Sequence, residues 1–61
     1  MTARDQIAEI RALLDEAETD ADKFVDSGVD AAGRRLRAAF LNISKICKTA
    51  RTEIQEQRNK G

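Results

Sequence analysis

Apolar residues recur at steps of three and four along most of the chain, which is the period of an α-helix that buries one face. The longer run lies between residues 30 and 59, and its apolar stripe contains Leu36, Ala39, Phe40, Ile43, Ile46, Cys47, Ala50 and Ile54. The shorter run lies between residues 3 and 26, and its seam contains Ile7, Ile10, Leu14, Ala17, Ala21 and Phe24, widened by Leu13 and Val25. This pattern predicts two amphipathic helices and an all-α chain.

Polar and glycine residues mark the ends of these helices. Thr2 followed by Asp5 has the form of an N-terminal cap, so the first helix is expected to begin at about Ala3. Gly28 can take the left-handed conformation that ends a helix, and Asp30 is expected to cap the second helix. The sequence therefore predicts a helix at about 3–26, a turn at 27–29 and a helix at about 30–59, which make one domain over residues 1–61.

A connection of about three residues forces neighbouring helices to run antiparallel, so the expected architecture is a helical hairpin. A register that pairs positions whose numbers add to about 57 sets large residues beside small ones, as packed helices prefer. It pairs Leu14 with Ile43, Ile10 with Cys47, Ala17 with Phe40, and Ala21 with Leu36. In the same register Gly33 lies beside Phe24 and leaves room for its ring.

A chain of 61 residues is near the size at which one core barely outweighs chain entropy. Two helices alone would leave one side of each open. We therefore expect a homo-oligomer, either a dimer or a tetramer, in which hairpins form a four-helix bundle or an extended antiparallel coiled coil.

The formal net charge of zero conceals a division along the sequence. Residues 1–30 contain nine acidic and three basic residues, whereas residues 31–61 contain eight basic and two acidic residues. This asymmetry favours attraction between the halves, or a nucleic-acid or other acidic partner for the second half.

Little in the sequence supports catalysis. There is no His or Tyr, and the single cysteine, Cys47, falls on the apolar stripe, where a packed structural thiol is expected. The acidic row Asp15, Glu18, Asp22 and Asp26 matches no known spacing of metal ligands, and a solvated face is expected there. We expect no enzyme, no cofactor, no metal and no small-molecule substrate.

The first residues do not have the form of a signal peptide, and no apolar run approaches the length of a membrane span. A cytoplasmic protein without a membrane partner is therefore expected.

The basic residues of the second helix lie largely opposite its apolar stripe. Arg34, Arg37, Lys45 and Lys48 line up on that side, with Arg35 and Arg51 on its flanks. Bases spread over about 21 Å at 1.5 Å per residue can follow a phosphate backbone. The chain has no Trp, and both Phe residues fall in the apolar stripes, so a stacking platform for single-stranded bases is missing. The face therefore favours double-stranded DNA.

The residues around the turn also resemble a known family. Asp22-Lys23-Phe24, Gly28, Ala31-Ala32-Gly33 and Arg35-Leu36-Arg37, followed by Lys45, Arg51, Glu53 and Gln55, resemble the bacterial linker-histone-like proteins of the chlamydial histone-like nucleoid type, in a short relative without their basic tail. The resemblance implies a helical, non-enzymatic, nucleoid-associated protein that binds and compacts DNA. Within it, Arg35, Arg37, Lys45 and Arg51 match basic positions, while Arg34 and Lys48 have no clear counterpart.

Two functional hypotheses follow. The favoured one is a small histone-like protein at the nucleoid that binds duplex DNA without base preference through Arg34, Arg35, Arg37, Lys45, Lys48 and Arg51. The alternative is an oligomerisation or protein-interaction module that does not bind nucleic acid, in which these Lys and Arg residues pair with the acidic residues of a partner chain.

Overall fold

A computed structural model describes residues 2–60 of the chain. It contains two α-helices, α1 at Ala3–Ser27 and α2 at Asp30–Lys60, and the expected all-α architecture is confirmed. The helices lie against each other as a rod-shaped antiparallel hairpin with extents of 50 × 15 × 13 Å. Met1 and Gly61, the ends of the predicted domain, lie outside the described residues.

The start of α1 is a reciprocal capping box. The backbone N–H of Asp5 donates to Thr2 Oγ1 at 3.2 Å, and the backbone N–H of Thr2 donates to Asp5 Oδ2 at 3.1 Å. Two backbone donors that the first helical turn leaves free are thereby satisfied. The cap predicted at Thr2 and Asp5 is confirmed.

The end of α1 is a left-handed glycine cap. Gly28 has φ 63° and ψ 30°, and its N–H donates to the carbonyl of Phe24 at 3.0 Å. A side chain at this φ would be strained, which explains the glycine. The connection consists of Gly28 and Val29 alone, shorter than the expected turn at 27–29.

The expected N-cap of α2 is shifted by one residue. The carbonyl of Val29 accepts a hydrogen bond from the N–H of Gly33 at 3.1 Å, so Val29 occupies the position before the first helical residue. Asp30 lies in the first turn. Its carboxylate there still interacts favourably with the positive end of the helix dipole.

The surface where the helices touch, which we call the contact seam, is rotated from the predicted stripes. On α1 its half-buried and buried residues are Gln6, Ile10, Leu13, Ala17, Asp20 and Ala21. On α2 they are Ala31, Ala32, Gly33, Leu36, Ala39, Ile43, Ile46, Ala50 and Glu53. Polar residues thus occupy places for which the pattern predicted apolar ones.

Several residues predicted to be buried are instead exposed in the hairpin. Ile7 and Leu14 are 53% and 48% exposed, and Phe40 is 57% exposed. Cys47 is also exposed, so the expected packed thiol is wrong for the isolated hairpin. The reason is geometric, since each apolar stripe is wider than the strip of surface that one neighbouring helix covers.

Three contacts between the helices agree with the predicted register. Gly33 lies against Phe24, Gln6 Nε2 donates to Glu53 Oε2 at 2.9 Å, and Arg35 bonds to Asp20. The predicted neighbours Ala17 and Phe40, and likewise Ala21 and Leu36, line one shallow groove. The helices therefore align as the pairing of large with small residues predicted.

The hairpin has little core of its own. Within residues 2–60 the buried residues are Gln6, Ala17 and Ala32, and no large side chain among them is fully buried. Neither described helix has an apolar stretch long enough to cross a lipid bilayer.

Candidate nucleic-acid interface

A continuous stripe of exposed residues runs along α2 on the side away from α1. Its positions recur at alternating steps of three and four and lie nearly half a turn from the contact seam. The stripe, called here the outer stripe, consists of Arg34, Arg37, Leu41, Ser44, Lys48, Arg51, Gln55 and Arg58, all exposed. It spans about 36 Å at 1.5 Å per residue and contains bases but no acid.

Four of the six predicted DNA-binding residues lie on the outer stripe. Arg34 and Arg37 form one group near the turn, and Lys48 and Arg51 form a second group near the open end. The two groups are about 21 Å apart along the helix. The structure therefore brings these four side chains to one face.

Lys45 lies on a different margin of α2. It lines a shallow groove between the helices together with Gln6, Glu9, Ile46 and Thr49. The side chain is exposed but is directed toward a part of the hairpin that contains the acid Glu9. Lys45 therefore lies beside the outer stripe, on the margin of α2 that faces this groove.

Among residues 2–60, Arg35 is the one predicted basic residue with an acidic partner. Its Nη2 and Nε atoms both lie 3.0 Å from Asp20 Oδ1, and their side chains are 54% and 18% exposed. An exposed pair of this kind contributes little to stability, on the order of 0–1 kcal/mol. It nevertheless partly neutralises the guanidinium, so Arg35 is less available to a phosphate than the bases of the outer stripe.

Arg58 continues the outer stripe but was absent from the sequence-based set. It lies seven residues beyond Arg51 on the same face and is exposed. The same alternating spacing that joins Arg34 to Arg51 could have identified it. It lies beyond Ile54, the last apolar residue of α2, where the amphipathic pattern ends.

The acids are distributed away from the outer stripe. On α2 they are Asp30 in the first turn, Glu53 in the contact seam and Glu56. Glu53 accepts the hydrogen bond from Gln6, which is 3% exposed. The remaining acids belong to α1, so the hairpin has an acidic helix and a basic helix.

Groups of metal-ligating side chains are absent from the part of the chain that the structure describes. From Thr2 to Lys60 no three His, Cys, Asp or Glu residues are grouped so that they could hold a metal ion. The pKa of Asp5 lies below its ordinary value, because the backbone N–H and the hydroxyl of Thr2 hydrogen-bond to its carboxylate. That shift belongs to the helix cap described above and marks no reactive site.

The fold and the outer stripe are those of a small all-helical protein with an exposed basic face. A family model described as "Histone H1-like protein Hc1" matches residues 4–60, nearly the whole chain. The chain belongs to this histone H1-like family. No curated protein and no solved structure matches it.

Proposed function

We propose that this protein is a nucleoid-associated protein that binds duplex DNA through the outer stripe of α2. The observation that carries the proposal is a row of five exposed Lys and Arg residues with no acidic residue between them. The row is about 36 Å long, which is comparable to the length of one turn of B-DNA. Membership of a histone H1-like family supports the same function. A bacterial nucleoid is the location that this function implies.

The binding is electrostatic. Each Lys or Arg that neutralises a phosphate releases condensed counterions, and this sequence-independent term supplies most non-specific affinity. The groups Arg34–Arg37 and Lys48–Arg51 provide four such contacts per hairpin, and Arg58 adds a fifth at the open end.

The stripe is poorly suited to reading a base sequence. Its side chains between the two basic groups are Leu41 and Ser44, and Gln55 is its single amide side chain that could pair with a base edge. The stripe also has no aromatic residue on which an unpaired base could stack. Duplex DNA of any sequence is therefore the preferred nucleic acid.

The acidic helix limits the affinity. The formal net charge of the whole chain is zero, so long-range attraction to DNA is weak and the local field of the stripe must carry the binding. Binding is thus strongest at low salt. Several hairpins held together would strengthen it by presenting several stripes to one duplex.

We also propose that the working unit is an oligomer of hairpins. No large side chain between Thr2 and Lys60 is fully buried, and a chain of this size needs further apolar burial to be stable. In the alternative function, the acidic helix of another molecule would cover the outer stripe, and no DNA would bind.

Fluorescence anisotropy with a labelled random-sequence duplex at about 50 mM salt tests the proposal. Changing Arg37 and Lys48 to Ala removes two bases from the outer stripe and is expected to weaken binding about tenfold or more. The matched control changes Arg4 and Lys23 to Ala, which removes the same charge from α1 and should have a smaller effect. Equal losses would mean that net charge, and not the outer stripe, controls binding.

A further inference from the structure

The hairpin leaves one side apolar and open. On α1 the residues of this side are Ile7, Leu14 and Ala21, and on α2 they are Phe40, Cys47 and Ile54, each seven residues from the next. Four of the six are large, and these are between 45% and 57% exposed. We call this surface the apolar side.

The two rows lie on the same side of the hairpin. Leu14 and Ala21 line one shallow groove together with Leu36 and Phe40. The opposite groove is lined by a mixed set, in which Leu13, Ala38 and Ala39 lie beside Glu16, Arg35 and Asn42. One broad side therefore presents large exposed apolar residues, and the other mixes polar residues with mostly small apolar ones.

We propose that the apolar side binds a second copy of this chain, turned end for end, so that a two-fold axis passes beside Leu14. The hairpin has little core of its own. The molecule that covers the apolar side must therefore be present whenever the chain folds. A second copy of the same chain meets that requirement. The proposal specifies the oligomer named in the proposed function, but does not depend on DNA binding.

The sizes of the exposed residues fit this reversal. Turning the second copy about Leu14 sets Ile7 opposite Ala21 of that copy, and Leu14 opposite its own equivalent. The register of the hairpin places Leu14 level with the midpoint between Phe40 and Cys47, to within about 2 Å at 1.5 Å per residue. Phe40 then faces Cys47 of the second copy, a large residue against a small one.

At the end of α2, Ile54 comes level with Gly33 of the second copy, where the exposed ring of Phe24 covers the glycine, so two large apolar side chains meet there. The pairs nearer the axis set large residues against small ones, as a dense helical interface requires. Because the residues of each row are seven positions apart, all of these pairs lie at matching heights along the two helices.

The charges along the margins also favour reversal. Arg4, Arg11, Arg51 and Arg58 border the apolar side near its open end, whereas Glu18 and Asp30 border it near the turn. Two copies side by side in the same direction would gather eight guanidinium groups at one end. Reversal instead places Arg11 near Glu18, and Arg58 near Asp30, of the second copy.

One kind of like-charge contact remains and occurs twice in the dimer, because Arg37 of each copy comes near Arg51 of the other. Both residues belong to the outer stripe. The reversed dimer sets the two basic helices beside each other, and their outer stripes form one basic surface, with both acidic helices on the far side. The repulsion that this costs is relieved when phosphates bind there.

Sedimentation equilibrium without DNA tests whether the apolar side is the dimer interface. Leu14→Asp is expected to raise the dimer dissociation constant at least tenfold, since it places a charge on the two-fold axis. Ala38→Asp is the matched control on the opposite side and should leave the constant within about twofold. Equal effects of the two variants would overturn the choice of side.

A charge reversal tests the direction without altering the apolar residues. Arg11→Glu and Glu18→Arg are each expected to weaken the dimer about fivefold, because like charges then meet twice in each dimer. The double variant Arg11→Glu with Glu18→Arg should restore the dissociation constant to within about twofold of the wild type. A double variant as weak as the singles, or a wild type that stays monomeric at high micromolar concentration, contradicts the proposal. Since DNA is absent, neither result bears on the DNA-binding function.

Discussion

Gly33 lies directly beneath the ring of Phe24, near the turn of the hairpin. A Cβ at position 33 would lie 2.7 Å from both Cδ1 and Cε1 of that ring, closer than carbon atoms tolerate. The glycine is therefore required by packing, although glycine costs about 1 kcal/mol relative to Ala inside a helix. This contact fixes the register from which the positions of the seam and of the outer stripe follow.

A double-mutant cycle tests this contact. In a Phe24→Ala background, Gly33→Ala is expected to stabilise the protein by about 0.8–1 kcal/mol, because only the helix propensity changes. In the wild type the same change should be neutral or destabilising, because the ring must move off α2. Chemical denaturation of the four proteins measures the coupling. Equal effects in both backgrounds would show that the ring does not rest on Gly33.

The buried amide of Gln6 gives a second prediction. Glu53→Ala removes the acceptor of its hydrogen bond and leaves the amide buried without a partner, which costs about 1–3 kcal/mol. Replacing both Gln6 and Glu53 by Leu should cost less than that single change, because no polar group is then left unsatisfied. A double variant less stable than Glu53→Ala would contradict the assignment of Gln6 to the seam.

The capping box predicts a dependence on pH. The hydrogen bonds from Thr2 hold the pKa of Asp5 below its ordinary value of 3.8 in the folded state. The ionised carboxylate therefore stabilises the fold above the unfolded pKa, and this contribution is lost as the pH falls through the folded pKa. NMR titration of the Asp5 carboxyl carbon measures the shift. In Thr2→Ala the pKa should rise toward 3.8, and an unchanged value would mean that the box does not form.

Cys47 is exposed in the hairpin but would be covered in the proposed dimer. Its reaction with a maleimide should therefore slow as the protein concentration rises through the dimer dissociation constant. A control with Cys47→Ser and Ala38→Cys places the only thiol on the opposite side, where the rate should not depend on concentration. A Cys47 rate that is equally independent of concentration would mean that nothing covers the apolar side.

The helix ends could be predicted from the sequence because their causes are local. Thr2, Asp5 and Gly28 act on backbone groups within a few residues of themselves, so their roles are visible in the order of the residues. The register was also accessible, since Gly33 and Phe24 fit each other only near one alignment.

The seam was harder to predict because burial depends on what the neighbouring helix covers. Gln6 is buried and Phe40 is exposed, the reverse of what their polarity suggests. A helical pattern marks every apolar residue that will eventually be covered, whether by the same hairpin or by another molecule. Phe40 and Cys47 were therefore placed in the core of a hairpin too small to contain them.

The candidate DNA-binding set was predictable in part. The four predicted basic residues that lie on the outer stripe follow from spacing alone, whereas the contact of Arg35 with Asp20 depends on the register of the two helices. The position of Lys45 beside Gln6 and Glu9 likewise depends on the rotation of α2 about its axis. These two residues remain proposed contributors, weaker than Arg34, Arg37, Lys48 and Arg51.

The salt dependence of duplex binding tests the central claim most directly. If each hairpin neutralises four phosphates, the logarithm of the association constant should fall with the logarithm of salt concentration at a slope near −4, about −0.9 per phosphate. Removal of Arg37 and Lys48 should make the slope shallower by about two, with the same loss on every duplex sequence. The absence of duplex binding by the wild type at about 50 mM salt, or a slope near zero, would contradict the account.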